Sequence, residues 1–217
     1  MAELAPTWVD QLRGKFVVFD GPDGSGKSTQ FRKFIHFVEA GGVTVCEVRE
    51  PGGTHIGEQI RHVLLDPENK EEVDIHCEML LFMASRAQLV AQRIAPALAR
   101  GELVLADRFI SSTLAYQGAA GGMPLDDIMR VGQIALGEHW PDLVVVFDVD
   151  EATAATRLNP LLDRMEAKGR AFHSRVRQGY LDQARRDPEH YIVVDATHGA
   201  ETVFRSLIAK LRESLES

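Results

Sequence analysis

A glycine-rich segment, Gly21–Thr29, carries the side chains with the clearest chemistry in this sequence. It reads Gly-Pro-Asp-Gly-Ser-Gly-Lys-Ser-Thr and matches the phosphate-binding pattern G-x-x-x-x-G-K-[ST]. The glycines let several backbone N–H groups point towards one phosphate, Lys27 brings a positive charge to the outer phosphates, and the Ser28 hydroxyl is suited to bind Mg²⁺. We predict that this phosphate loop binds a nucleoside triphosphate. The residues concerned are Gly21, Asp23, Gly24, Ser25, Gly26, Lys27, Ser28 and Thr29.

The segments that flank this loop have the character that a phosphate-binding loop requires. An apolar run predicts a buried strand over Phe16–Asp20, and Ser28–Glu39 has the pattern of a helix. A strand, a loop and a helix in this order distinguish a nucleotide site from a glycine-rich surface turn, which is the alternative interpretation. Four further apolar runs predict strands at Val43–Val48, Leu103–Ala106, Leu143–Phe147 and Tyr191–Val194.

Helical segments alternate with these strands. We predict helices over Thr54–Leu65, over Val73–Arg100 with a break or bend near Pro96, and over Leu125–Leu136, with a glycine-rich turn at Gly118–Gly122. Strands that are continuously apolar are typical of a parallel sheet covered by helices on both faces. The sequence contains neither an internal repeat nor a low-complexity linker. We therefore expect one α/β domain over residues 1–217.

The composition is that of an ordinary globular protein. The chain has 217 residues and a formal net charge of −8, which disfavours a nucleic-acid partner held by broad electrostatic attraction. Its two cysteines, Cys46 and Cys77, do not suggest a disulfide framework. No apolar stretch is long enough to span a membrane, and Met1–Asp10 carries acids rather than a basic leader. We expect a cytoplasmic protein without a membrane or nucleic-acid partner.

Polar residues follow the predicted strands, at the sheet edge where ligands of parallel α/β proteins bind. Arg49 and Arg108 are two of these residues, and together they could hold a second phosphorylated molecule opposite the nucleotide. Each arginine taken alone could equally be the partner of a surface salt bridge. Asp107 precedes Arg108 and could orient Mg²⁺ or cap the next helix.

Several short segments, taken in order, resemble the thymidylate kinase family. They are Arg49–Thr54, Phe82–Arg86, Asp107–Gly118, Asp163–Glu166 and Asp195–Ala196. The resemblance implies a three-layer phosphate-loop kinase fold with a five-stranded parallel sheet and a short lid. It further implies transfer of the γ-phosphoryl group of ATP to thymidine 5′-monophosphate with Mg²⁺, on the route to dTTP, by an enzyme that is usually a homodimer.

The resemblance also implies roles for residues around the sugar and the phosphates. Asp23 matches an acidic residue that binds the 3′-hydroxyl of the acceptor, and Tyr116 matches an aromatic residue that lies against the deoxyribose. Arg49 and Arg108 match arginines that bind the acceptor phosphate. Asp195 and Ala196 match a segment that flanks the adenine of ATP. Ser28 and Asp107 are the predicted Mg²⁺ residues.

Four residues match positions around the acceptor base. Phe82 matches an aromatic residue that stacks on thymine, Arg86 an arginine that hydrogen-bonds a base carbonyl, and Ser112 and Gln117 polar residues that line the base. Because Phe82 and Arg86 are four residues apart, a helix would project both from one face. The alternative for Phe82 is a place in the hydrophobic core.

The lid is the region where this sequence departs from the family pattern. Some members carry an arginine in the phosphate loop, where this chain has Gly24, and others place several cations on a lid, expected here over Thr153–Phe172. Phosphoryl transfer needs such a cation near the migrating group. We predict Arg164 for this role and Arg157 as its alternative, on separate segments divided by a turn at Asn159–Pro160; a purely structural lid is the competing interpretation. The predicted catalytic residues are Lys27, Asp107, Arg108, Arg157 and Arg164.

Two other classes of function compete with this one. A deoxyribonucleoside kinase would share the phosphate loop, but its acceptor lacks the phosphate that Arg49 and Arg108 could hold. A nucleotide-dependent switch protein that reads guanine would carry Asn-Lys-x-Asp, whereas residues 69–72 read Asn-Lys-Glu-Glu and follow no predicted strand. We therefore favour the monophosphate kinase.

Overall fold

The predicted strands form one parallel sheet. This computed structural model describes residues 7–68, 72–157, 164–165 and 168–216. Within those ranges, five parallel strands pair in the order β2-β3-β1-β4-β5. The strands are β1 Phe16–Asp20, β2 Val45–Arg49, β3 Leu103–Asp107, β4 Leu143–Asp148 and β5 Tyr191–Asp195.

The register of the sheet brings the polar residues at the strand ends to one edge. Asp107 at the end of β3 is paired with Phe19 of β1 on one side and with Arg49 of β2 on the other. Asp148 of β4 is paired in the same way with Asp195 of β5. Four of the strands end one residue beyond the predicted apolar runs, and β1 ends as predicted. The ladder continues there into the polar residues Arg49, Asp107, Asp148 and Asp195.

Helices cover both faces of the sheet, which confirms the predicted three-layer α/β fold. Because side chains alternate along a strand, Phe16 and Val18 of β1 join one core, while Val17 and Phe19 join the other. Within the described residues, the α-helices are α1 Lys27–Ala40, α2 His55–Leu65, α3 Ile75–Leu89, α4 Ala95–Ala99, α5 Ile110–Thr113, α6 Leu125–Leu136, α7 Glu151–Arg157, α8 Arg170–Arg186 and α9 Ala200–Glu216. None of the helices in the described part of the chain is long and apolar enough to cross a membrane.

The long helix predicted over Val73–Arg100 consists of three helical pieces in direct succession. A π-helical segment, Val90–Ile94, joins α3 to α4, and Pro96 lies in the first turn of α4. Proline has no N–H to donate, so the opening of a new helical piece is where it is tolerated. The predicted interruption near Pro96 is therefore present as a change of helical pitch.

The turn predicted over Gly118–Gly122 is wrong in its first half. Residues Leu114–Ala120 are π-helical and continue from α5, so the chain leaves the helical conformation only at Gly121. This segment packs closely against α8, because a Cβ on Gly179 would come within 2.7 Å of the Ala119 Cβ. Tertiary packing between small residues thus outweighs the turn preference of the glycines.

The region predicted as a lid runs from within α7 to the start of α8. Its described residues are the end of α7, Arg164, Met165, Lys168, Gly169 and the start of α8. The predicted turn at Asn159–Pro160 and the residues Asp163 and Glu166 fall outside the described residues. Helices α5, α7, α8 and α9 were not predicted, although α9 carries apolar residues four positions apart at Val203, Leu207 and Leu211.

Candidate active site

The phosphate loop connects β1 to α1 with two glycines in left-handed conformations. Gly24 has φ +76° and Gly26, directly before α1, has φ +77°. A Cβ on Gly24 would come within 2.6 Å of the Ala154 carbonyl oxygen. Both the backbone conformation and this contact with α7 favour glycine at position 24.

A cavity of about 540 Å³, here called the loop cavity, opens over the N-terminus of α1. It is lined by residues 23–30 of the phosphate loop and α1 and by Arg157 and Ala196, so it brings together nearly all of the predicted ATP residues. Two do not line it. Gly21 packs against the Phe147 backbone, and the Asp195 carboxylate accepts hydrogen bonds from Thr197.

A second cavity, of about 230 Å³, lies on the other side of the phosphate loop against α3 and is called the α3 cavity. Its walls also include Glu50, Arg61 and Thr113, which the sequence analysis did not identify. It is lined by the predicted acceptor residues Asp23, Phe82, Arg86, Arg108, Ser112, Tyr116 and Gln117.

Arg49 is the predicted acceptor residue that lies apart from this cavity. Its side chain is 54% exposed, and its Nη2 is 3.0 Å from Glu58 Oε1 on α2. Arg49 therefore has the surface salt bridge that was its alternative interpretation. To reach a ligand phosphate, its guanidinium would have to leave Glu58.

The two cavities meet at three phosphate-loop residues. Asp23, Lys27 and Ser28 line both of them, so a group bound in one cavity can approach a group bound in the other at this point. Lys27 Nζ is 3.6 Å from Asp107 Oδ1. That oxygen is buried and has no hydrogen-bond partner among the described residues. The following helix, α5, begins at Ile110 without a side-chain cap, so Asp107 does not cap it. The junction therefore combines a cation with an unsatisfied carboxylate oxygen.

Arg108 lines the α3 cavity and has a backbone conformation that few residues adopt. Its φ is +70°, and strained backbone of this kind is concentrated at functional sites. Its guanidinium donates to the Gly21 carbonyl at 3.1 Å, contacts the Tyr180 hydroxyl at 3.2 Å and forms an ion pair with Asp23. Burial opposes its charge, but the Asp23 carboxylate keeps its pKa above the usual value. Arg108 is thus a fixed cation at this position.

Arg108 has a second anionic neighbour, the buried carboxylate of Asp20. Asp20 at the end of β1 accepts hydrogen bonds from Ser111 Oγ at 2.6 Å, from Ser112 Oγ at 2.8 Å and from the Tyr180 hydroxyl at 2.6 Å. Arg108 Nη1 lies 3.5 Å from the same carboxylate. Tyr180 is 160 residues from Asp20 along the chain, so no local pattern indicates this cluster.

Asp23 is held as an anion inside the site. Burial acts to raise the pKa of its carboxyl, but the positive charges of Arg108 and Lys27 outweigh this effect and lower the pKa below its ordinary value. Its Oδ2 accepts a hydrogen bond from the Tyr116 hydroxyl at 2.7 Å. The Tyr116 ring also packs 5.4 Å from the Arg108 guanidinium. An ionised Asp23 can accept a hydrogen bond from a ligand hydroxyl.

On the opposite wall, Arg86 is almost completely buried at 1% exposure. Its Nε donates to Glu50 Oε2 at 2.7 Å, and its Nη1 donates to Thr113 Oγ1 at 3.2 Å. Phe82, one turn earlier on α3, lines the cavity and belongs to neither core, so its alternative interpretation as a core residue does not hold. The Phe82 ring and the Arg86 guanidinium therefore both line the α3 cavity.

Glu50 fixes Arg86 through only one of its oxygens. Its other oxygen, Oε1, is buried and has no hydrogen-bond partner in the part of the chain that the structure describes. Burial raises the pKa of Glu50 to about 7, although the Arg86 guanidinium opposes this shift. The charge of the Glu50–Arg86 pair therefore changes near neutral pH.

The two predicted lid arginines lie in different places. Arg157 donates to the carbonyls of Ala196 at 2.8 Å and Thr197 at 3.1 Å, which places it beside the loop cavity. Arg164 instead contacts Glu78 Oε2 at 2.7 Å and the Leu64 carbonyl at 2.7 Å. Of these two arginines, Arg157 is the one that lines the loop cavity.

The site offers few protein ligands for a metal ion. Ser28 and Asp107 both line the α3 cavity, and Ser28 lines the loop cavity as well. In residues 7–68, 72–157, 164–165 and 168–216, no group of three or more His, Cys, Asp or Glu side chains is arranged to hold a metal. This donor set suits Mg²⁺ that is bound mainly by phosphates and water, with one or two protein oxygens.

Known proteins are similar to this chain in both sequence and fold. The family model described as thymidylate kinase matches residues 19–207. The chain is 43% identical over 201 residues to a thymidylate kinase of Symbiobacterium thermophilum, which covers 92% of this chain and 94% of that protein. A thymidylate kinase of Bifidobacterium longum is 41% identical over 204 residues, 93% of this chain and 99% of that one.

A solved structure agrees with these matches. The crystal structure of thymidylate kinase from Ehrlichia chaffeensis has a TM-score of 0.73 and 30% sequence identity, covering 91% of this chain and 98% of that chain. Its similarity confirms the predicted phosphate-loop kinase fold, and the family model spans most of the sequence. The sequence, the sheet order and the two adjoining cavities lead to one conclusion: this chain belongs to the thymidylate kinase family.

Proposed function

We propose that this protein transfers the γ-phosphoryl group of ATP to thymidine 5′-monophosphate, which gives ADP and thymidine 5′-diphosphate for dTTP synthesis. The observation that carries the proposal is the meeting of the loop cavity and the α3 cavity at Asp23, Lys27 and Ser28. ATP in the loop cavity would direct its terminal phosphate towards this junction. The acceptor in the α3 cavity would direct its own phosphate to the same point.

In the proposed reaction, an oxygen of the acceptor phosphate attacks the γ-phosphorus, and the bond from that phosphorus to the bridging oxygen of ADP breaks. The acceptor oxygen is already anionic, so no general base is needed, and catalysis depends on position and on positive charge. Lys27 supplies charge at the junction. Arg108 supplies a second cation, and its contacts with Gly21 and Tyr180 hold it in place.

Mg²⁺ fits the residues present, because the buried Asp107 Oδ1 has no hydrogen-bond partner among the described residues and Ser28 lines the same α3 cavity. When bound, the ion reduces repulsion between the anionic phosphates. We propose Ser28 and Asp107 as its protein ligands, directly or through water.

The same proposal assigns the walls of the α3 cavity to the nucleoside. Phe82 stacks on the thymine ring, and Arg86 donates to a base carbonyl. Asp23 accepts from the 3′-hydroxyl of the deoxyribose, against which Tyr116 packs. The buried ion pair with Glu50 keeps Arg86 in one orientation, so little side-chain conformational entropy is lost when the base binds.

The direct test of this assignment is ADP release measured with ATP, Mg²⁺ and each common nucleoside monophosphate in turn. We expect thymidine 5′-monophosphate to stimulate release most strongly. When another base binds, polar groups of the site that would hydrogen-bond thymine are left without hydrogen bonds, which weakens binding. Equal stimulation by cytidine and adenosine monophosphates would contradict the base assignment. Stimulation by thymidine but by no monophosphate would favour a nucleoside kinase.

We expect acceptor affinity to depend on the ionisation of Glu50. Above about pH 7 the carboxyl is charged and holds Arg86; below it, protonation weakens the pair. The KM for the acceptor should therefore rise roughly three- to tenfold as the pH falls from about 8 to about 6. Asp20 is the other acidic group that acts on Glu50. Initial rates across this range would measure the effect.

The matched control for this prediction is Glu50→Gln. It cannot titrate at position 50, but it experiences the same ionisation of the substrate phosphate. If the KM of the wild type and that of Glu50→Gln change in parallel with pH, Glu50 does not control the affinity.

The two lid arginines should affect different kinetic constants. Arg164 is the predicted transfer cation, and it must leave Glu78 to act. We expect Arg164→Ala to lower the single-turnover rate at saturating nucleotides by about a hundredfold, the low end for loss of one oxyanion donor. Arg157→Ala should mainly raise the KM for ATP, roughly tenfold. A near-normal transfer rate in Arg164→Ala would leave the transfer charge to Lys27, Arg108 and Mg²⁺.

We further propose one catalytic domain over residues 1–217, a homodimer in solution and a cytoplasmic location. The dimer would form on the exposed side of α3 and α6, where Leu80 is 53% exposed and Ile134 is 85% exposed. Burial of such side chains between subunits is favourable. Sedimentation at micromolar concentration tests this arrangement, and a monomer throughout would contradict it.

A further inference from the structure

One buried carboxylate beside the α3 cavity is not explained by the reaction described above. Glu78 lies in the first turn of α3 and is 1% exposed. Its oxygens accept a hydrogen bond from Gln117 Nε2 at 2.8 Å, and they lie 2.7 Å from Arg164 Nη2 and 3.0 Å from Lys168 Nζ. An ionised carboxylate in this position requires such partners, because an unpaired buried charge would strongly destabilise the fold.

The contact with Gln117 determines the direction of the Gln117 amide. A glutamine side chain can present either its NH₂ group or its carbonyl oxygen to a ligand, since the two ends are similar in shape. A carboxylate only accepts hydrogen bonds, and Glu78 accepts them from both Arg164 and Lys168. The NH₂ group of Gln117 must therefore face Glu78. Its carbonyl oxygen, Oε1, is then the atom left to meet a ligand in the α3 cavity, which Gln117 lines.

We propose that Glu78 is a positioning residue that determines base specificity, because it makes Gln117 an obligatory hydrogen-bond acceptor towards the base. The inference rests on the proposed function and adds to it a reason for the choice among pyrimidines. Thymine and uracil carry an N3–H donor that meets Gln117 Oε1. Cytosine carries a lone pair at N3, and its 4-amino group replaces the carbonyl that Arg86 pairs with. With cytosine bound, the Gln117 Oε1 acceptor would face the N3 lone pair, and the Arg86 donor would face the 4-amino group.

Dissociation constants measured by calorimetry, without ATP, test this proposal independently of turnover. The ratio of the constants for deoxycytidine and thymidine monophosphates is compared between the wild type and Glu78→Gln. In that variant the introduced amide directs its carbonyl to Arg164 and Lys168 and its NH₂ group to Gln117, so the Gln117 amide turns over. We expect the ratio of the dissociation constants for deoxycytidine and thymidine monophosphates to fall at least tenfold, which is the usual effect of leaving one buried group without its hydrogen bond. Lys168→Met, which leaves the Glu78–Gln117 contact intact, should keep the ratio within about twofold of the wild type.

A purely structural role gives a different result. If Glu78→Gln weakens binding of both nucleotides by the same factor, the ratio is unchanged and the proposal is wrong. Should Glu78→Gln fail to fold, Gln117→Met serves in its place, because it removes the amide while keeping the length of the side chain; retention of the full wild-type ratio in that variant overturns the proposal. Wild-type turnover of thymidine monophosphate, assayed separately, tests the proposed function.

Discussion

Lys27→Ala should lower the rate of phosphoryl transfer at saturating nucleotides by about a hundred- to a thousandfold, the usual effect of removing one preorganised donor from a transition state. Lys27 is only 7% exposed, and its ammonium lies at the junction of the two cavities, 3.6 Å from Asp107. In such a partly desolvated site its charge acts more strongly on the migrating group than it would in water. Rapid-quench single-turnover kinetics would measure the loss directly.

The matched control for Lys27 is Lys33→Ala on the same helix. Lys33 forms an ion pair with Glu201 and lies outside both cavities, so its replacement should change the rate by less than about twofold. If Lys27→Ala retains more than a tenth of the wild-type rate, its charge does not stabilise the transferred group.

Arg108→Ala should lower kcat/KM for thymidine monophosphate by roughly a thousandfold, equivalent to about 4 kcal/mol. Two losses combine in this variant. The acceptor phosphate loses its cation, and Asp23 loses the guanidinium that, with Lys27, keeps its pKa low. Arg108→Lys should recover only part of the activity, because an ammonium cannot reproduce the simultaneous contacts with Asp23, Gly21 and Tyr180.

A steady-state comparison with Arg100→Ala provides the control for Arg108. Arg100 forms an exposed ion pair with Glu102, away from both cavities, and its loss should leave kcat/KM nearly unchanged. Recovery of full activity by Arg108→Lys would contradict the role proposed for the fork of Arg108. Arg49→Ala, measured beside it, shows whether the arginine paired with Glu58 also serves the acceptor.

The local features of this protein could be predicted from its sequence. The phosphate loop is a contiguous motif, and at Gly21 and Gly24 a side chain would collide with neighbouring backbone. The apolar runs give the positions of all the described strands. Phe82 and Arg86 share one face of α3, so their juxtaposition follows from helical spacing. These inferences succeed because the interacting residues are close in sequence.

Contacts between distant segments could not be predicted in this way. Asp20 meets Tyr180, and Glu78 meets Arg164 and Lys168, only after the sheet has brought their elements together. The pairing of Arg49 with Glu58 depends on the turn between β2 and α2, where the Gly53 N–H also donates to Glu58. The π-helical form of Leu114–Ala120 reflects its packing against α8, which outweighs the local preference for a turn.

We expect a phosphoryl group to pass directly between nucleotides bound in the two cavities. The most direct measurement is the fate of a phosphorus label in the γ-position of ATP during a single turnover with thymidine monophosphate and Mg²⁺. We predict that the label appears in thymidine diphosphate at the same rate as ADP forms, without labelled protein. Release of the label as inorganic phosphate at a rate that thymidine monophosphate does not change would contradict the account.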